Sequence, residues 1–150
     1  MTKHEEKAVA LFKEGYNCAQ AVFAAFSDVT GLDEHTSYKL ASSFGGGFGR
    51  QREVCGAVSG MVMAAGIICG YDSPTDNIAK KEHYALVQSL MKQFADENGS
   101  YICRELLGLQ QKENSDPTPT PRNESFYQKR PCSELVGMAA RFLDEYLADK

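Results

Sequence analysis

FGGGFGRQREVCGAVSGMVMAAGIICG, residues 44–70, divides into a glycine run, a charged patch and a long uncharged segment. Gly45, Gly46 and Gly47 in succession cost more backbone entropy than any other tripeptide, which points to positive φ or very close backbone approach there. From Val54 onward the segment is too apolar for a helix with a wet face. Gly56, Gly60 and Ala64 recur every four residues, a spacing that lets another backbone come close. This predicts an all-α bundle with an apolar central helix over roughly residues 54–69, around which the rest of the chain wraps.

A membrane span is the competing reading, because residues 54–71 carry no charge over 18 positions, the lower limit for a transmembrane helix. Four glycines, a serine and two cysteines interrupt that segment, and no second such stretch exists. The flanking amphipathic helices also need an apolar surface to cover. No membrane association is expected.

Working outward, Ala8, Leu11 and Phe12 give residues 3–14 one apolar face, and Gly15 stops that helix. Asn17 is an N-cap with Gln20 as its capping-box partner, and Ala21, Val22, Ala25 and Phe26 face inward up to Gly31. Asp33 caps a third helix carrying Tyr38, Leu40, Ala41 and Phe44. Beyond the central helix, Ser73 or Asp76 caps a long helix reaching about Glu97, with Leu86, Val87, Leu90, Met91 and Phe94 as its stripe. Ser100 caps a short helix ending at Gly108. The alternate prolines of residues 116–121, DPTPTP, exclude helix and central strand, so residues 109–130 read as a Pro-rich surface loop. Pro131 opens a final helix with Leu135, Val136, Ala139, Phe142, Leu143 and Tyr146 on one face. The expectation is one helical domain over residues 1–150, built of about five to seven helices.

A chain of 150 residues buries about two thirds of its unfolded surface without covalent staples. The net charge of −4, with Lys and Arg scattered, excludes a nucleic-acid binder. The N-terminus has no apolar run behind a basic start, so a cytoplasmic location is expected. Five cysteines in that compartment read as thiols, metal ligands or transient redox groups.

Four of the five fall in the first turn of a predicted helix. Cys18 follows Asn17, Cys55 opens the central helix, Cys103 lies just past Ser100, and Cys132 follows Pro131. Unpaired N–H groups and the positive helix end favour thiolate there. Each cysteine also sits on the apolar face of its helix, so the four can share one site. Cys69, about 21 Å along the central helix from Cys55 and at its C-terminal end, should not join them. No pair is spaced CxxC, which removes the zinc-ribbon and thioredoxin-like signatures.

Cys18 in YNCAQAV, the block GGGFGRQREVCGAVSG, Cys103 before RELLG, and PCSELVGMAARFL together resemble the C_GCAxxG_C_C family of redox-active proteins over most of the chain. The resemblance implies that Cys18, Cys55, Cys103 and Cys132 are the family's four cysteines and that Cys69 is extra. One departure is the order Cys55-Gly56-Ala57, followed by Gly60, where the family's name has Gly-Cys-Ala.

Three readings follow. In the first, the protein exchanges thiols and disulfides with a redox partner: Cys55 is the attacking thiolate beside Arg50 and Arg52, while Cys103 and Cys132 form and resolve a disulfide. In the second, Cys18, Cys55, Cys103 and Cys132 ligate iron, zinc or an iron–sulfur cluster. In the third, the cysteines only pack. The loop of Gly45, Gly46, Gly47 and Arg50, with Arg52, is a candidate cofactor-anion cradle. His83 is the one histidine on an apolar helix face, and the central helix is a candidate homodimer surface.

Overall fold

The computed structural model describes residues 1–108, 116–124, 126 and 131–150. The fold is all-α, with no strand among the described residues. Helix α1 (Lys3–Lys13) starts on a Thr2–Glu5 capping box. The expected Asn17–Gln20 box starts α2 (Cys18–Ala25): Gln20 N–H donates to Asn17 Oδ1 at 2.9 Å, and Asn17 N–H to Gln20 Oε1 at 3.0 Å. The helix expected to run on to Gly31 breaks at Phe26, and a short α3 (Ser27–Thr30) follows. Asp33 caps α4 (Glu34–Ala41), which tightens into a 3-10 turn over Ser42–Phe44. The central helix, α5 (Gly56–Cys69), has Cys55 at its cap. Asp76, one of the two expected caps, starts α6 (Asn77–Asn98). Further along the chain come α7 (Cys103–Leu107) and α8 (Cys132–Ala148).

The small-residue spacing of α5 does what its pattern requires. A Cβ on Gly56 would lie 3.1 Å from both the Ala19 nitrogen and Cys18 Cβ, and one on Gly60 would lie 2.7 Å from the Ala19 carbonyl oxygen. The two backbones meet there, and α2 shares the centre of the bundle. Its Ala21, Val22, Phe23, Ala24 and Ala25 are all fully buried. Helices α1 and α8 pack on each other and on α2, while α6 covers one side of α5 with Leu90 and Phe94 fully buried. The far end of α5 emerges into solvent, leaving Ile67 and Cys69 exposed. Leu40, expected on an inner face of α4, is 49% exposed, because α4 buries Ser37 and Ala41 instead. No helix among the described residues is long and apolar enough to cross a membrane.

Of the expected 109–130 loop, residues 109–115, 125 and 127–130 lie outside the described residues. The described part is irregular up to Asn123 and is tied down by two arginines. Arg50 Nε donates to the Asp116 carbonyl at 3.1 Å and Arg50 Nη1 to Thr120 Oγ1 at 2.8 Å. Arg122 donates to the carbonyls of Phe12 (3.0 Å) and Tyr16 (2.9 Å), with its guanidinium over the Phe12 ring.

Candidate functional site

Backbone pairing brings two helix starts together. Val54 and Ile102 form an isolated antiparallel bridge. Around it, Cys55 N–H donates to the Tyr101 carbonyl at 2.8 Å and Cys103 N–H to the Glu53 carbonyl at 2.6 Å. The start of α7 is thereby fixed beside the start of α5. Contact at Gly56 brings the start of α2 to the same place, and the start of α8 completes the ring. The result is a cavity of about 410 Å³ lined by Cys18, Cys55, Cys103 and Cys132 together. Cys18, Cys103 and Cys132 are each the first residue of a helix. Cys55 and Cys103 are buried, while Cys18 and Cys132 are half-buried and hydrogen-bonded to each other. No disulfide is present among the described residues.

Burial opposes the helix starts. It pushes the Cys55 thiol up to about 12, against the N–H groups of Ala57 and Val58, which favour the thiolate. The hydrogen bond to Cys132, with burial second, holds the Cys18 thiol well above its usual range. Sequence reasoning gave Cys55 a stabilised thiolate, but the capping geometry is present and desolvation outweighs it.

This has a consequence for stability. The folded state holds the Cys55 proton more tightly than the unfolded chain, whose thiol titrates near 9.0. The resulting stabilisation is fully present below pH 9 and is lost as pH rises from 9 toward about 12, at about 1.4 kcal/mol per pH unit. Urea midpoints measured across that range should fall more steeply for the native chain than for Cys55→Ala. Parallel curves would refute the assignment.

The glycine loop forms one wall of the same cavity. Gly45, Gly46 and Arg50 line it, whereas Gly47 sits behind, where a Cβ would strike the backbone of Arg52 and Glu53. Gly46, Gly47, Phe48, Gly49, Arg50 and Arg52 all have φ between 62° and 72°. The expected positive φ is thus realised at Gly46 and Gly47, and it extends to three residues that are not glycine. Arg52, expected beside Cys55, is buried there to a degree that its residue type did not signal: it is 4% exposed, lines the cavity and directs Nη1 to Cys103 Sγ at 3.7 Å. The glycines that fold the loop back were the available signal.

Cys69 and His83 stand apart from the four thiols, in a second cleft of about 450 Å³ between α5, α6 and α8. The Cys69 thiol donates to the Ala65 carbonyl at 3.2 Å, and His83 Nδ1 is buried with no hydrogen-bond partner among the described residues. Sequence spacing separated Cys69 from the other cysteines but gave no sign that it lies with His83. Among the described residues, no group of three or more His, Cys, Asp or Glu side chains is arranged to hold a metal ion.

Helix starts that deliver four thiols to one cavity define a class of all-α cysteine protein. The family model described as "Putative redox-active protein (C_GCAxxG_C_C)" matches residues 16–146, and the chain belongs to that family. A relative from Archaeoglobus fulgidus, itself described as an uncharacterized protein, is 25% identical over 155 residues, covering 99% of this chain and 95% of the relative. No solved structure matches the chain. The order Cys55-Gly56-Ala57, with Gly60, has a physical basis here: the cysteine caps α5, and the two glycines admit the backbone of α2.

Proposed function

We propose that residues 1–150 act as one helical domain that transfers electrons by dithiol–disulfide exchange with a small substrate in the four-cysteine cavity. The observation that carries this reading is the hydrogen-bonded pair of Cys18 and Cys132 on the cavity wall. Cys18 keeps its proton and donates it toward the Cys132 sulfur, which also has the positive start of the 17-residue α8. Cys132 is therefore the attacking thiolate, in place of the more deeply buried Cys55. It attacks one sulfur of a substrate disulfide, forming a mixed disulfide and releasing one thiolate. Cys18 then loses its proton and attacks the Cys132 sulfur, releasing the second thiolate. Two electrons pass to the substrate, its two thiolates take up the Cys18 proton and one proton from solvent, and a Cys18–Cys132 disulfide remains for an external dithiol to reduce.

Four thiols on one wall also support the metal reading, with zinc, iron or an iron–sulfur cluster as the bound group. The absence of a convergent ligand set among the described residues ranks it second.

The test is thiol counting on anaerobically purified protein before and after a stoichiometric disulfide oxidant, with peptide mass mapping. Loss of two thiols, restored by dithiothreitol and mapped to Cys18 and Cys132, is expected. Stoichiometric zinc or iron that disappears when these cysteines are replaced would favour the second reading. Intact thiols in metal-free protein would leave the cysteines as packing groups only.

A further inference from the structure

Within the dithiol reading just given, on which this inference rests, we propose that the cavity selects small organic disulfides carrying a carboxylate, and that Arg52 is the group that pairs with it. Among the described residues, Arg52 is a buried cation without an acidic partner. It forms no ion pair with a carboxylate among the described residues, and its Nε has no hydrogen-bond partner. The adjacent carboxylate, Glu53, turns outward to Arg104 at 3.4 Å. A charge removed from water requires a counter-charge. The sulfur of Cys103, 3.7 Å from Nη1, occupies only one of the five N–H groups of the guanidinium.

The surroundings carry the argument further. The chain has a net charge of −4, yet Arg50, Arg52 and Arg122 all line this cavity and no Asp or Glu does so among the described residues. Arg50 and Arg122 use donors to fasten residues 116–122, so Arg52 is the one set deepest beside the thiols. Its backbone is left-handed, at φ 64°, a strained conformation that glycine would relieve. A loop that needed only the turn gains nothing from an arginine there. Glycine at 47 lets the chain fold tightly against the backbone of Arg52 and Glu53. In the same cavity, Leu106, Leu107, Pro117 and Pro119 offer apolar contact. This combination suits a short aliphatic body with an anionic end, its sulfur within reach of Cys132.

The test compares two disulfides on the fully reduced, full-length protein at low ionic strength: the dicarboxylate 3,3′-dithiodipropionate and the neutral bis(2-hydroxyethyl) disulfide. The dicarboxylate is expected to oxidise the protein at least tenfold faster, a preference absent from the urea-unfolded chain and reduced by salt. In Arg52→Gln the ratio of the two rates should shrink below threefold, and Arg52→Lys should retain part of it. Equal rates in the native protein, or a preference that survives Arg52→Gln, would overturn the proposal and leave Arg52 serving Cys103 alone. If neither disulfide reacts, the dithiol reading fails and the anion site is judged by calorimetry with suberate, the all-carbon analogue of the dicarboxylate. Binding lost in Arg52→Gln upholds the site, and no binding to the native protein rejects it. The native-protein comparison stands even if the variant does not fold.

Discussion

Cys132→Ser is expected to abolish reversible two-thiol oxidation, while Cys18→Ser stops the same reaction halfway. The two cysteines share a hydrogen bond, and in the proposed reaction Cys18 keeps its proton while Cys132, at the start of the longer helix, attacks. Without Cys132 there is no attack, and the rate of oxidation by a small disulfide should fall by at least a hundredfold. Without Cys18 the attack proceeds and the mixed disulfide has no internal thiol to resolve it. Intact mass should then show one substrate half bound at Cys132, stable until dithiothreitol is added. Both sites are half-buried, and sulfur-to-oxygen replacement there should cost no more than about 1 kcal/mol, so far-ultraviolet circular dichroism should remain unchanged. If Cys18→Ser is the inert variant and Cys132→Ser the trapped one, the roles are reversed.

Gly60→Val should produce the largest loss of stability in α5. A Cβ alone would lie 2.7 Å from the Ala19 carbonyl and 3.0 Å from Val22 Cβ, and the first of these is backbone that cannot rotate away. Valine adds two methyl groups to that contact, forcing α2 and α5 apart at a cost of about 3 kcal/mol or more. That is a large share of the 5–15 kcal/mol typical of a folded domain. Gly66 in the same helix is the control. A Cβ there meets nothing within 4 Å, so Gly66→Ala should be neutral or stabilising by up to about 1 kcal/mol. Urea denaturation of the three proteins decides the matter. Equal midpoints for Gly60→Val and the native chain would mean that the helices do not meet at this residue.

What could be read from the sequence was local. The Asn17–Gln20 box, the caps at Asp33 and Asp76, and the four-residue spacing of Gly56 and Gly60 all act over a single turn or along one face, and each appears where its pattern placed it. The helix starts at Cys18 and Cys132 were legible for the same reason, whereas the short helix expected to be capped by Ser100 begins two residues later than expected, at Cys103, with Ile102 at its cap. Partnership was not. That Cys18 bonds to Cys132 depends on how α8 lies across α1 and α2, which no window of sequence contains. Desolvation is likewise a property of the assembled core, so the cap at Cys55 was visible while the burial that dominates its thiol was not. The nearness of Arg52 to Cys55 was legible, but its burial was not, since a charged residue in a glycine-rich loop ordinarily faces water.

The packing of α8 on α1 sets an order of events during synthesis. Cys18 leaves the ribosome early and Cys132 long afterwards, on a helix that finds its place only against segments already made. Until that helix docks, Cys18 lacks its partner and the cavity lacks a wall. In the proposed dithiol mechanism the growing chain would therefore carry no assembled Cys18–Cys132 pair for an oxidant to close, and competence for exchange would arrive with completion of the fold.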